Sequence, residues 1–194
     1  MADHLAVSGP SGGGKTTLLR EIHDRFDGAS IFLTTKANER TAEKEGEARQ
    51  RKSSCTYPDD IRKARRWARD QNIPVQVIVD EAHAAPSFQS GDGPLSAGIR
   101  EDRSRGIRYV VATQNPQAFN NDRDGYGLIQ QCDYWVFVGA AKDWHVGFFR
   151  ANNMAGLQEE LPTTDYRYVV LEPIAAYGPE EKIVAEGRTS TKYG

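Results

Sequence analysis

Cysteine is scarce. Cys55 and Cys132 are the only two in 194 residues. They lie far apart, fit no metal-ligand spacing, and read as reduced structural thiols of a cytoplasmic protein. A disulfide-stapled scaffold is excluded. No apolar run is long enough to span a bilayer, so no membrane span is expected. A glycine-rich motif starts at Gly9, so no secretory leader is expected before it. An excess of either charge is also lacking. The chain has 25 Lys and Arg against 27 Asp and Glu, a net charge of −2. Bulk charge gives no case for a nucleic-acid partner, so any such case rests on a local patch. The bases are mostly arginine, which suits phosphate contacts, although genome composition explains it as well. The length suits one α/β domain and is too short for two. A single domain over residues 1–194 is expected, and a two-motor helicase is not.

Short apolar runs alternate with helical patterns, which predicts an α/β fold with a mostly parallel sheet flanked by helices. Strands are expected near Leu5–Ser8, Ser30–Thr34, Val75–Val79, Ile107–Thr113, Tyr134–Val138, Tyr168–Leu171 and Lys182–Ala185. The last two suit either further sheet strands or an antiparallel hairpin at the C-terminal edge. Helices are expected at Lys15–Phe26, Asp59–Gln71, Leu95–Arg105 and Asp143–Asn152. Leu18, Leu19, Ile22 and Phe26 share one face of the first. Ala37–Thr56 is polar and charged, and reads as a solvated helix or a mobile excursion. Gln89–Pro94 reads as a flexible loop.

Gly9-Pro-Ser-Gly-Gly-Gly-Lys15-Thr16 fits the Walker A pattern between a strand and a helix. A β-phosphate has to be surrounded by backbone N–H groups, and glycines let the chain bend with no Cβ in the way. The helix that starts here adds its dipole and unsatisfied donors. Gly9, Ser11, Gly12, Gly13, Gly14, Lys15, Thr16 and Thr17 are therefore the candidate nucleotide-binding residues, for ATP with Mg2+. Lys15 would reach the β- and γ-phosphates, and Thr16 would ligate the metal. Val75–Glu81 ends a buried strand in two acids. A carboxylate there is costly unless something pairs with it. Asp80 suits the Mg2+ shell, and Glu81 suits a general base for an attacking water. Thr113-Gln114-Asn115-Pro116 ends another strand in polar residues. If that strand neighbours the Walker A strand, Gln114 would orient the water or sense the γ-phosphate. A plain strand-terminating turn is the bland alternative.

These three segments, with Gly106–Pro116 read as a "GI…ATQ.P" strand and Leu161–Leu171 as a closing strand, resemble the FtsK–HerA superfamily of DNA-pumping ATPases. The likeness is greatest to the compact genome-packaging ATPases of tailless viruses with an internal membrane. It covers most of the chain. Asn115 departs from it, because the family often has arginine before that proline. The N-terminal barrel and membrane segments of larger relatives are also missing. The resemblance implies a RecA-like P-loop core and a hexameric or pentameric ring threading double-stranded DNA. It implies capsid or portal proteins as further partners, and a place in the host cytoplasm or with the virion. It also implies an arginine supplied by the neighbouring subunit, an effect of about 10³–10⁵ in rate. Arg103 is the first candidate and Arg105 the second, with Arg100 beside them. An ordinary solvated helix is the competing reading.

Arg62, Arg65, Arg66 and Arg69 fall on the outer side of the Asp59–Gln71 helix. With Arg49, Arg51 and Lys52 they form a candidate DNA patch beside the commoner reading, a solvated face. Asp80-Glu81-Ala82-His83 also occurs in a helicase family, but that family needs further motifs and a second motor domain. Leu95-Ser-Ala-Gly lacks the continuation of a transporter signature. Trp144, Phe148 and Phe149 sit at helical spacing, as core or interface. Two other functions stay open. One is a protein-assembly or secretion ATPase of the same superfamily. The other is a small-molecule or nucleotide kinase, which would not need Glu81.

Overall fold

Val75–Val79 is apolar apart from Gln76 and forms strand β4, buried at every position. A strand covered by helices on both faces has this composition. The protein's structure, a computed structural model, describes residues 3–34, 49–52, 59–84, 93–119, 131–143, 145, 147–148, 159, 161–172 and 183–189. Their order is β1 (Leu5–Ser8), α1 (Lys15–Arg25), β2 (Ala29–Leu33), β3 (Arg49–Lys52), α2 (Asp59–Arg69), β4, α3 (Pro94–Glu101), β5 (Ile107–Thr113), β6 (Tyr134–Val138), β7 (Arg167–Leu171) and β8 (Ile183–Arg188).

One eight-stranded sheet runs in the order β3-β2-β4-β5-β1-β6-β7-β8. Every pair from β3 to β6 is parallel. β7 and β8 then add antiparallel, as the hairpin alternative for the C-terminal edge anticipates. β1 is central, with β5 on one side and β6 on the other. The period of two along each strand divides the core. Leu5, Val7, Phe32, Ile78, Val110 and Val136 face α1 through Leu18 and Leu19. Ala6, Leu33, Val77, Val111 and Trp135 face the other way, with Ile61 and Ala64 of α2 and Leu95 and Ile99 of α3. Phe148 is buried there against Trp135, ring centroids 5.4 Å apart. Residues 143, 145, 147 and 148 are helical, and the rest of Asp143–Asn152 lies outside the described residues, with the side chains of Trp144 and Phe149.

Three expectations change. Arg49–Lys52 is neither helix nor excursion; it is a parallel edge strand on β2. An edge strand needs only its backbone to pair, and a charged edge discourages further pairing. Residues 35–48 and 53–58 lie outside the described residues, as do 89–92 of the expected loop. α3 stops at Glu101, short of Arg105. Asp102 turns inward, and a 3-10 turn at Arg103–Arg105 leads to left-handed Gly106. Asp102 also engages two arginines of the expected basic face, Arg65 and Arg69, in ion pairs. Its fully buried carboxylate accepts from Arg65 Nε at 2.6 Å, Arg69 Nε at 2.9 Å and the Tyr109 hydroxyl at 2.9 Å. Burial alone would raise its pKa, but these donors outweigh that and hold it below the usual carboxylate range. Of the four arginines, Arg62, Arg66 and Arg69 are exposed and Arg65 is half-buried. Cys132 is buried, which pushes its thiol pKa up, and Cys55 lies outside the described residues. No helix among the described residues is long and apolar enough to cross a membrane.

Candidate functional site

β1 delivers the chain into the glycine loop, and α1 begins directly after it. The α1 N-cap is Gly14, with φ 97° and no side-chain cap. No acidic residue occupies the first turn of α1. The helix N-terminus thus keeps its N–H donors for an anion. Gly12 has φ 81° and also needs the left-handed region. Gly13 packs against Gly139, the residue after β6: a Cβ on Gly139 would lie 2.5 Å from the Gly13 Cα.

Lys15, only 4% exposed, reaches Asp80 Oδ1 at 3.3 Å and Glu81 Oε1 at 3.1 Å. The Thr16 hydroxyl donates to Asp80 Oδ2 at 3.2 Å. Asp80 sits at the end of β4, its N–H bonded to the Leu33 carbonyl of β2 at 2.9 Å. Glu81 adopts φ 54°, rare for a residue with a Cβ. Its N–H donates to Asp80 Oδ1 at 3.0 Å. A non-glycine residue held in that region signals over-determined surroundings of the kind found at functional sites. His83, in the 3-10 turn that follows, places Nδ1 3.5 Å from Glu81 Oε2 and 3.0 Å from Thr113 Oγ1. Thr113 ends β5, and Gln114 follows it, exposed. The Gln114 carbonyl accepts from Ser8 Oγ at 3.4 Å.

Ser11, Gly12, Gly14, Lys15, Thr16, Thr17, Glu81 and Gln114 line one cavity of about 180 Å³ with Pro10 and Tyr166. Gly9 and Gly13 form the loop behind it, and Asp80 lies beneath it. The structure thus brings together the nucleotide, metal and water-activating candidates. It does not bring Arg103 or Arg105 to them. Both precede β5, at the amino end of the sheet, whereas the cavity lies at the carboxyl ends. Arg103 is held by Asp133 Oδ1 at 2.7 Å and the Gln131 carbonyl at 2.9 Å. Arg105 is exposed. A larger cavity, about 540 Å³, opens at that amino end between Phe26, Pro74, Arg108 and Tyr134. It is mainly apolar and holds neither the loop nor the paired acids, so the smaller cavity is the candidate site.

The donor set fits Mg2+. Thr16 and Asp80 offer hard oxygens side by side, and Mg2+ is ordinarily held by one or two protein oxygens, the rest being water and substrate phosphate. Among the described residues no group of three His, Cys, Asp or Glu forms an all-protein cage.

Tyr166, Gly139, and the link from His83 to Thr113 are absent from the sequence-derived site. Tyr166 and Gly139 acquire their place only because β6 lies beside β1 and β7 beside β6. The string Asp80–His83 was visible, but not that its histidine would face Thr113.

No protein-family model matches the chain, and no curated protein does. Solved structures do match. The genome packaging NTPase B204 from Sulfolobus turreted icosahedral virus 2, in complex with AMPPCP, superposes with a TM-score of 0.69 at 12% identity, over 97% of this chain and 98% of that one. The chain has the P-loop NTPase fold. The same fold is matched in the cytoplasmic domain of the type VII secretion ATPase EccC from Thermomonospora curvata, with TM-score 0.57 and 14% identity over 98% of this chain and 24% of that one. The N-terminal domain of zonular occludens toxin from Neisseria meningitidis gives 0.51 and 18% over 99% and 96%. The fold class expected from the sequence is therefore the one present, and the resemblance to packaging ATPases is matched at the level of fold.

Proposed function

We propose that this P-loop NTPase fold is an ATPase, that it works as a ring, and that it moves double-stranded DNA as a viral genome-packaging motor. The observation that carries the enzymatic part is the convergence of Lys15, Thr16, Asp80, Glu81 and Gln114 on one cavity at the N-terminus of α1. Lys15 leaves its two carboxylates for the β- and γ-phosphates of ATP. Thr16 and Asp80 hold Mg2+, which when bound offsets phosphate charge. Glu81, released by Lys15, accepts a proton from water as the water oxygen bonds to the γ-phosphorus. The bond from that phosphorus to the bridging oxygen breaks, leaving ADP and phosphate. Gln114 orients the water from the β5 side.

The DNA and ring parts rest on the sequence resemblance and on the likeness of fold to B204. So do the proposed capsid or portal partners and the place in the host cytoplasm or the virion. For the finger supplied to a neighbour, Arg105 moves ahead of Arg103, since Arg103 is engaged by Asp133 within its own chain. The fold shared with the EccC secretion ATPase favours a second reading, a motor acting on protein.

An ATPase assay with and without duplex DNA, beside Glu81→Gln, tests the proposal. Glu81→Gln is expected to bind ATP and to lose about 10²–10⁴ in turnover, the scale of a general base. Duplex DNA is expected to stimulate the unmodified protein. Absence of stimulation favours the secretion-type reading. A phosphorylated acceptor in place of free phosphate would mean a kinase.

A further inference from the structure

The cavity has two unlike ends, set by strand order. β5 and then β4 lie on one side of β1, and they bring Gln114 and Glu81 to the cavity. β6 and then β7 lie on the other side, and they bring Gly139 behind the loop and Tyr166 to the cavity wall. If Glu81 and Gln114 attend the terminal phosphate, the rest of the ligand extends towards β6 and β7. Tyr166 is the aromatic residue among those lining the cavity.

Its placement is tightly determined. Tyr166 has φ 65°, one of two described non-glycine residues in the left-handed region, the other being Glu81. Such a backbone carries a cost for a residue with a Cβ and persists where its surroundings impose it. Here the Tyr166 N–H donates to the Gly13 carbonyl at 3.0 Å, and the Tyr166 carbonyl accepts from Thr189 N at 2.7 Å. The loop before it is fastened as well: Ala140 N donates to Asp165 Oδ1 at 3.3 Å, and Ala141 N to the Pro162 carbonyl at 2.8 Å. The ring comes so close to the helix start that a Cβ on Gly14 would lie 2.8 Å from Tyr166 Cδ1. Gly14 therefore serves the ring's approach as well as the turn. The ring is half-buried, so one part packs on the loop while another meets the cavity.

We propose that Tyr166 is the nucleoside platform of this site, the surface on which the base of a nucleoside triphosphate stacks. This rests on the reading of the cavity as an ATP site and adds what distinguishes a nucleotide from a bare polyphosphate. Base–aromatic stacking tolerates any base, because every base has a π-face.

The test compares binding of MgATP and of magnesium tripolyphosphate to the full chain, by calorimetry, for the unmodified protein, Tyr166→Phe and Tyr166→Asn. Asparagine tolerates the left-handed backbone and removes the ring. Phenylalanine keeps the ring and removes the hydroxyl. Tyr166→Asn is expected to weaken MgATP by about 5- to 100-fold, the range of one lost stack. It should leave tripolyphosphate within about two-fold, which also reports that the loop is intact. Tyr166→Phe should bind both ligands like the unmodified protein. Equal weakening of both ligands by Tyr166→Asn would make the residue a loop support and overturn the proposal. So would loss of both in Tyr166→Phe, which would mean a hydroxyl on phosphate, or no change in either ligand with Tyr166→Asn. If the unmodified protein bound neither ligand, the ATP reading itself would fall, and the platform with it. Tripolyphosphate binding without any gain for ATP would leave the phosphate site standing and sink the platform alone.

Discussion

At the scale of single residues, the phosphate loop depends on a glycine that belongs to another part of the chain. Gly139 has φ 83°, and a Cβ on it would meet the Gly13 Cα at 2.5 Å and the Gly13 carbonyl oxygen at 2.7 Å. Gly106 has a similar φ of 75° with nothing within 4 Å of the same position. The two isolate strain from collision. Gly106→Ala is expected to cost about 1–2 kcal/mol, the left-handed penalty alone, and to leave MgATP binding unchanged. Gly139→Ala adds the collision, so it should lower the melting temperature further. It should also weaken MgATP binding by moving Gly13, although it lies outside the ligand's reach. Equal melting temperatures for the two variants, with unchanged binding, would show that the contact is unimportant. The contrast also explains what was legible at this scale. Lys15, Thr16, Asp80 and Glu81 stand in contiguous motifs whose residue types are dictated by phosphate and water chemistry, so their candidacy could be read without a structure. Gly139 and Tyr166 stand in no such motif. A glycine after a strand has many uses, and a tyrosine before one ordinarily reads as core.

At the scale of elements, the site is a meeting of strand ends, and its parts are joined sideways as well as to the ligand. His83 belongs to the turn after β4, Thr113 to β5, and Glu81 lies between them and Lys15. A change at the end of β5 therefore reaches the proposed base through His83. His83→Ala and Thr113→Val should each reduce turnover about tenfold with little change in KM, since both act on the placement of Glu81 rather than on ATP binding. The double variant should be scarcely worse than either single one, a coupling of about 1.4 kcal/mol, the size of one tenfold loss. Additive losses would mean that the two residues act independently. The element layout was legible wherever hydrophobic pattern controls it. β1, β2, β4, β5 and β6 are apolar runs, and α1 shows its apolar face in Leu18 and Leu19. β3 was not legible, because Arg-Gln-Arg-Lys has no apolar residue to mark it and only pairing with β2 makes it a strand. The end of α3 was not either. Glu101 and Asp102 continue a plausible helix on paper, and it is the burial of Asp102 against Arg65, Arg69 and Tyr109 that ends it.

At the scale of the whole molecule, one chain holds the phosphate loop, both acids and Gln114, but keeps its finger candidates at the other end of the sheet. β5 makes this separation concrete: Arg105 precedes its first residue and Gln114 follows its last. A group at the amino end of a strand cannot attend a γ-phosphate at the carboxyl end of the same strand. If Arg105 serves catalysis as a finger, it does so in a neighbour, and the ring becomes a chemical requirement as well as a conduit. This has a consequence that neither a monomeric enzyme nor a surface-charge role for Arg105 would share. Arg105→Ala and Glu81→Gln should each be inactive alone, the first for want of a finger and the second for want of a base. Mixed under conditions that allow subunits to exchange, they should regain activity. A site owned by an Arg105→Ala subunit keeps Glu81, and receives Arg105 when its neighbour is a Glu81→Gln subunit. Random equal mixing creates that arrangement at about a quarter of the interfaces of a cyclic assembly. ATPase measured across mixing ratios should therefore peak near equal amounts and vanish at both ends. A flat, inactive series from exchanging rings would remove Arg105 from the site, and the same experiment with Arg103→Ala would then show whether the finger is Arg103 instead.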